Sequence, residues 1–124
     1  MIRKLSLTAA LLALVATAAL ALAPQGQKRQ AKINGFLMDA MCAASHGTDV
    51  EAKAHETSCS LMPSCEKSGY AVVSKDTVYR FDERGNQLAA ELLRDTKTKK
   101  GVAVSVEGTL SGDILHVDSL AEVR

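Results

Sequence analysis

The chain has 124 residues, with 15 Lys and Arg against 14 Asp and Glu, no Trp, two Phe and two Tyr. That length supplies one small domain, and the near balance of charge leaves no basic stripe for nucleic acid or an anionic membrane surface. A core so poor in large aromatics rests on Val, Leu and Ile, each giving about 1.5–3 kcal/mol on full burial, so a covalent or metal staple would help it.

Residues 1–21 read as a cleaved secretory signal peptide. Arg3 and Lys4 form a basic start, an uncharged run of Leu, Ala, Val, Ser and Thr follows, and small-x-small triplets end it at Ala21 and Ala23. Cleavage is expected after Ala21, since a cut after Ala23 would place Pro24 at the new terminus. The apolar stretch of about 19 residues approaches the length of a membrane span, but its Ala-rich end and cleavage triplets favour removal. Two of the 15 basic residues leave with it, so 13 face 14 acidic ones, a net charge of −1. The mature protein is therefore expected in the periplasm or outside the cell, with no membrane span.

Residues 22–31 are polar and read as a flexible lead-in to a domain at 32–124. From Lys32 the pattern is strand-like, with Ile33, Phe36 and Met38 apolar and Gly35 at a bulge or bend. Residues 39–44 suggest a short helical turn capped by Asp39, 46–53 a loop, and 55–59 a second turn. Residues 63–67 suggest a third, opened by Pro63 and closed by Gly69. This segment, 40–69, is an insertion between the first two strands. Tyr70 to Ser74 and Thr77 to Phe81 are β-rich runs joined at Lys75-Asp76, a hairpin. Asn86 is placed to cap a helix over 87–95, with Leu88 and Leu92 at i,i+4. Lys97, Lys99 and Lys100 then suit the carboxyl end of that helix. Val102, Val104 and Val106 alternate with polar or small residues in a fourth strand. After a turn at Ser111-Gly112-Asp113, Leu115 and Val117 continue the alternation in a fifth, to Leu120. Five strands with a helix between the third and fourth predict a mainly β fold with one helix, a small OB-like barrel.

The chemistry is concentrated in the insertion. Cys42, His46, His55, Cys59 and Cys65 include every cysteine and two of the three histidines. Cys42 and His46 are four apart, as are His55 and Cys59, so one helical turn would align each pair. Cys42, His46, Cys59 and Cys65 would complete a tetrahedral Cys3His set, with His55 as a fifth candidate, and zinc suits such donors. The spacing matches no standard zinc finger. Copper is the weaker alternative, raised by Met38, Met41 and Met62 beside the thiols, since thioether with thiolate selects Cu(I). Export would also permit a disulfide, between Cys59 and Cys65 or between Cys42 and either, leaving one thiol over. A thiol redox role needs a thiol of lowered pKa, and a nucleophilic Cys needs an oxyanion hole that this pattern does not supply. Tyr70 and Tyr79 offer only a thin platform for stacking a sugar or base, and packing in the core or on the surface is favoured for them; the barrel face is the alternative site for a peptide, glycan or protein partner. His116, outward in the last strand, reads as a surface residue.

The stretches Gly35-Phe36-Leu37-Met38-Asp39-Ala40-Met41-Cys42, Cys59-Ser60-Leu61-Met62-Pro63-Ser64-Cys65 and Gly108 to Ile114 resemble a family of small exported bacterial proteins of unknown function. These have a leader, a Cys-His-Cys-Cys segment and an OB-like β-domain. The resemblance implies that fold, export, and a site at Cys42, His46, Cys59 and Cys65. It implies no reaction, and the expectation is a non-enzymatic domain.

Overall fold

A computed structural model of the chain describes residues 28–124. The expected leader, 1–21, and most of the expected lead-in lie outside the described residues. Among those described, no helix is long and apolar enough to cross a membrane.

Five strands form the frame: β1 Arg29–Asp39, β2 Tyr70–Ser74, β3 Thr77–Phe81, β4 Ala103–Ser111 and β5 Ile114–Glu122. The sheet closes into a ring in the order β1-β2-β3-β5-β4. All neighbours are antiparallel except β3 and β5, whose short parallel pairing of Arg80 with Ile114 and Phe81 with Leu115 is the closing seam. β1 starts three residues before Lys32, because Arg29 to Ala31 already pair with Leu110 to Gly108 of β4.

β1 serves two neighbours. Its first part pairs with β4 and its last part with β2, and Phe36 faces a partner on both. Gly35 stands at that handover, where a Cβ would strike the Val73 carbonyl oxygen. The register shift is not there but between Glu107 and Gly108 of β4, so Gly35 supplies close approach of strands rather than a bulge. The β2–β3 hairpin turns through Lys75 (φ 49°) and Asp76 (φ 58°), the two left-handed residues that a twisted two-residue hairpin requires.

Among the described residues the single expected helix is corrected to five. They are α1 Ala40–His46, α2 Asp49–Ala54, α3 Thr57–Ser60, α4 Pro63–Ser68 and α5 Glu83–Asp95. The first four are four to seven residues long, too short to show a helical period. Their local supports are Asp39, Thr48 and Pro63 at the starts of α1, α2 and α4. The loop expected over 46–53 thus holds α2. α5 begins earlier than expected, because Asp82 caps it by accepting from Gly85 N–H at 2.9 Å. Asn86 instead accepts from the Tyr70 backbone N–H at 2.8 Å, tying α5 to β2.

Two cores share the sheet. Inside the ring lie Leu37, Tyr70, Val72, Phe81, Val104, Val106, Leu115 and Val117, with Ala89 and Leu93 of α5 packed against them. Outside it, Ala43 of α1 and Ala52 of α2 pack on Met38, Ala71 and Val73. β2 is consequently buried on both faces from Tyr70 to Val73, which is why it reads as an unbroken apolar run. The insertion is a second layer laid on β1 and β2.

Candidate metal centre

Residues that close the insertion also build the site. The Ala40 N–H donates to the Gly69 carbonyl at 2.8 Å. The Met41 N–H donates to Ser68 Oγ at 3.2 Å, and that hydroxyl donates to the Cys65 carbonyl at 2.6 Å. The start of α1 is thereby pinned to the end of α4, and Cys42 is brought over Cys65. Asp39, the last residue of β1, stands beside both. One carboxylate oxygen of Asp39 and the sulfurs of Cys42 and Cys65 all lie within 4.8 Å of one another.

Asp39 is fully buried and well supplied with donors. It accepts from the Cys42 N–H at 2.9 Å and the Ser60 hydroxyl at 3.2 Å, and His55 Nε2 stands 3.0 Å from it. Burial alone would push this carboxyl upward. The Cys42 N–H, the thiol of Cys42 and His55 outweigh burial and hold it below its ordinary value. Asp39 is therefore a buried anion, and its charge acts on its neighbours. Burial, then the Asp39 charge, push the Cys42 thiol up to about 11. The same two causes raise Cys65, and they raise the Tyr70 phenol as well.

Around this anion the insertion is cross-braced. The His55 carbonyl accepts from Gly101 N–H at 3.0 Å and the Thr57 N–H donates to the Lys99 carbonyl at 2.9 Å, fixing the α2–α3 junction against the segment before β4. Tyr70 donates its hydroxyl proton to the Ser60 carbonyl at 2.9 Å, and Ser60 Oγ accepts from the Asp39 N–H at 3.3 Å. Among the described residues, no buried side-chain nitrogen or oxygen lacks a hydrogen-bond partner. Asp39, His55 and Ser60 do not make a hydrolytic triad. The histidine meets both partners through the same nitrogen, Nε2, and Ser60 is fully buried, whereas a triad needs one partner on each ring nitrogen and a reachable hydroxyl.

The five candidates from the sequence fare differently. Cys42 and Cys65 come together. His55 reaches the site through Asp39, outside the group of three. His46 projects from the last turn of α1 toward Glu51, at 3.1 Å, with its side chain 62% exposed. Cys59 sits partly exposed in α3, outside the group, and all three cysteines are free thiols. The Cys3His set of the sequence reading is thus not assembled. Asp39 takes the third position, a residue read only as a helix cap. Its signal is an acid immediately before the first thiol-bearing turn, three residues ahead of Cys42.

No family model, curated protein or solved structure matches the chain.

The donor set suits a thiophilic divalent cation. Two sulfurs and a carboxylate oxygen are ligands that zinc accepts, with a fourth place for water or a further side chain. Ligating carboxylates are commonly held by further hydrogen bonds, and Ser60 and His55 provide such support here. The methionines contribute less. Met38 is fully buried in the outer core, while Met41 and Met62 are about half exposed.

Tyr70, one of the two aromatics considered for a ligand face, is 1% exposed and belongs to the inner core. Tyr79 packs against the same core. His116 is a surface residue, 3.5 Å from Asp82.

Proposed function

We propose that this is an exported, non-enzymatic domain that binds zinc through Cys42 Sγ, Cys65 Sγ and an Asp39 carboxylate oxygen. The observation that carries this reading is the convergence of those three atoms at the buried junction of β1, α1 and α4. The strand order and the helix between the third and fourth strands support an OB-like barrel as its frame, in keeping with the resemblance to small exported proteins. Zinc is favoured over copper because one donor is a carboxylate and no thioether is needed. Raised thiol pKa values argue against a catalytic nucleophile, for which the pKa must fall. The burial of Tyr70 removes half of the aromatic platform that a peptide- or glycan-binding face would use.

Zinc bound only by the folded form stabilises it by mass action, about 2.7 kcal/mol when free zinc is 100 times Kd. At roughly 4–8 °C per kcal/mol for a domain of this size, the melting temperature of the full chain should rise by about 11–22 °C. Addition of a chelator should reverse it. Scanning calorimetry reads this directly, and a melt indifferent to both zinc and chelator contradicts the reading.

A further inference from the structure

We propose that Cys42 and Cys65 form a redox-gated metal site, in which a disulfide between α1 and α4 and a bound cation exclude one another. The proposal rests on the metal reading above and concerns its regulation.

The two sulfurs already lie within 4.8 Å, so a bond of about 2.05 Å requires them to close by no more than about 2.8 Å. They project from two short helices in contact, α1 and α4, rather than from strands fixed in the sheet ladder. Cys42 is partly exposed and Cys65 is 7% exposed, so an oxidant meets Cys42 first and Cys65 resolves. Cys59 stands outside the group and remains as the odd thiol. A three-cysteine chain thereby has one natural pair.

The oxidant required is another disulfide, either a small-molecule one or that of a dithiol oxidase. The Cys42 sulfur, giving up its proton, attacks one sulfur of that disulfide; the S–S bond breaks and the first thiol leaves with a proton. The Cys65 sulfur then attacks the Cys42 sulfur of the mixed disulfide, and the second thiol leaves with the second proton. Two electrons pass from the cysteine pair to the oxidant, which ends as two thiols. The product has lost both thiolates, and Asp39 alone of the three ligands remains. Conversely, a cation held by both sulfurs occupies the electron pairs that the attack requires.

The test uses the full chain carrying Cys59→Ser, reduced and then treated with oxidised glutathione, either metal-free or preloaded with one equivalent of zinc. Intact mass and bound zinc are measured over time. The metal-free chain should lose two hydrogens and yield a Cys42–Cys65 cross-linked peptide. That oxidised form should bind zinc at least about 100-fold more weakly than the reduced form, since two ligands are gone. Preloading should slow oxidation by at least about tenfold, because the bound thiolates are withdrawn from attack. A glutathione adduct that never closes, or an oxidised form that binds zinc as well as the reduced one, overturns the gate and leaves the zinc site standing. A reduced chain that takes up no zinc overturns the metal reading and the gate with it. The same assay on the wild-type chain, with the bond located by peptide mapping, decides the matter if Cys59→Ser does not fold.

Discussion

Cys42→Ser and Cys65→Ser should each weaken zinc binding by more than about 100-fold, beyond the 10–100-fold that losing a mere supporting partner costs. Cys59→Ser and His46→Ala should leave it unchanged, since neither side chain belongs to the converging group. Competition against a chromogenic chelator measures all four. The pH dependence supplies a second signature. Cys42 is pushed up to about 11 and Cys65 is also raised, so both thiols carry protons at neutral pH and both protons leave when zinc binds. Below both pKa values the apparent affinity then falls by about 100-fold for each unit of acidification, two protons per cation. A slope of one proton, or equal losses from Cys59→Ser, would mean that a different set of ligands holds the metal.

Asp39→Ala should be the most destabilising substitution in the insertion, at about 2.5 kcal/mol or more. The lost helix cap accounts for about 0.5–2 kcal/mol, and the buried Ser60 and nearly buried His55, left without their acceptor, add about 1–3 kcal/mol each where no water replaces it. Against the 5–15 kcal/mol typical of a whole domain, this is a large fraction, and urea unfolding measures it. Asp39→Asn keeps the size and an oxygen for the cap, so it should cost less. It should nevertheless increase the rate of thiol alkylation, because the charge that helps hold the thiols protonated is gone. The acid limb of the stability curve follows the same group. A carboxyl whose folded pKa lies below its ordinary value of 3.8 stabilises the fold fully above that value and loses the contribution as pH falls toward the folded one. The wild-type chain should therefore lose stability below about pH 4 more steeply than Asp39→Ala. Parallel acid limbs for the two would show that Asp39 is not the buried anion described.

Much of the frame was legible because it obeys short-range rules. Alternation of Val102, Val104 and Val106, the Lys75-Asp76 turn, and the helix between the third and fourth strands follow from side-chain period and turn chemistry. What the sequence hid was set by tertiary contacts. α2 has six residues, and its start is clasped to the β2–β3 turn, where the Asp49 N–H donates to Asp76 at 2.8 Å and the Asp76 N–H to Asp49 at 3.2 Å. Nothing local announces that contact. Asn86 had the right chemistry for a cap, yet Asp82 took the role and freed Asn86 to hold β2.

The site was half legible for a similar reason. Spacing of four placed Cys42 and His46 along one side of α1, but the helix ends there, and His46 extends past the buried part toward Glu51. Cys59 and Cys65 are six apart in sequence yet belong to separate helices, so their directions could not be read from spacing. Nothing local marks Asp39 as a ligand, because capping already accounts for an Asp before a helical turn. Its second role depends on Ser60, His55 and Cys65 arriving from elsewhere in the insertion, and only the fold brings them.

Zinc K-edge X-ray absorption on the reduced full chain loaded with one equivalent of zinc reads the ligand shell itself. A centre of Asp39, Cys42 and Cys65 should show two sulfur neighbours at about 2.3 Å, with the remaining shell made of oxygen or nitrogen at about 2.0–2.2 Å. Three sulfurs would bring Cys59 into the sphere, and a shell of oxygen and nitrogen alone would exclude the thiols; either result contradicts a centre built from Asp39, Cys42 and Cys65.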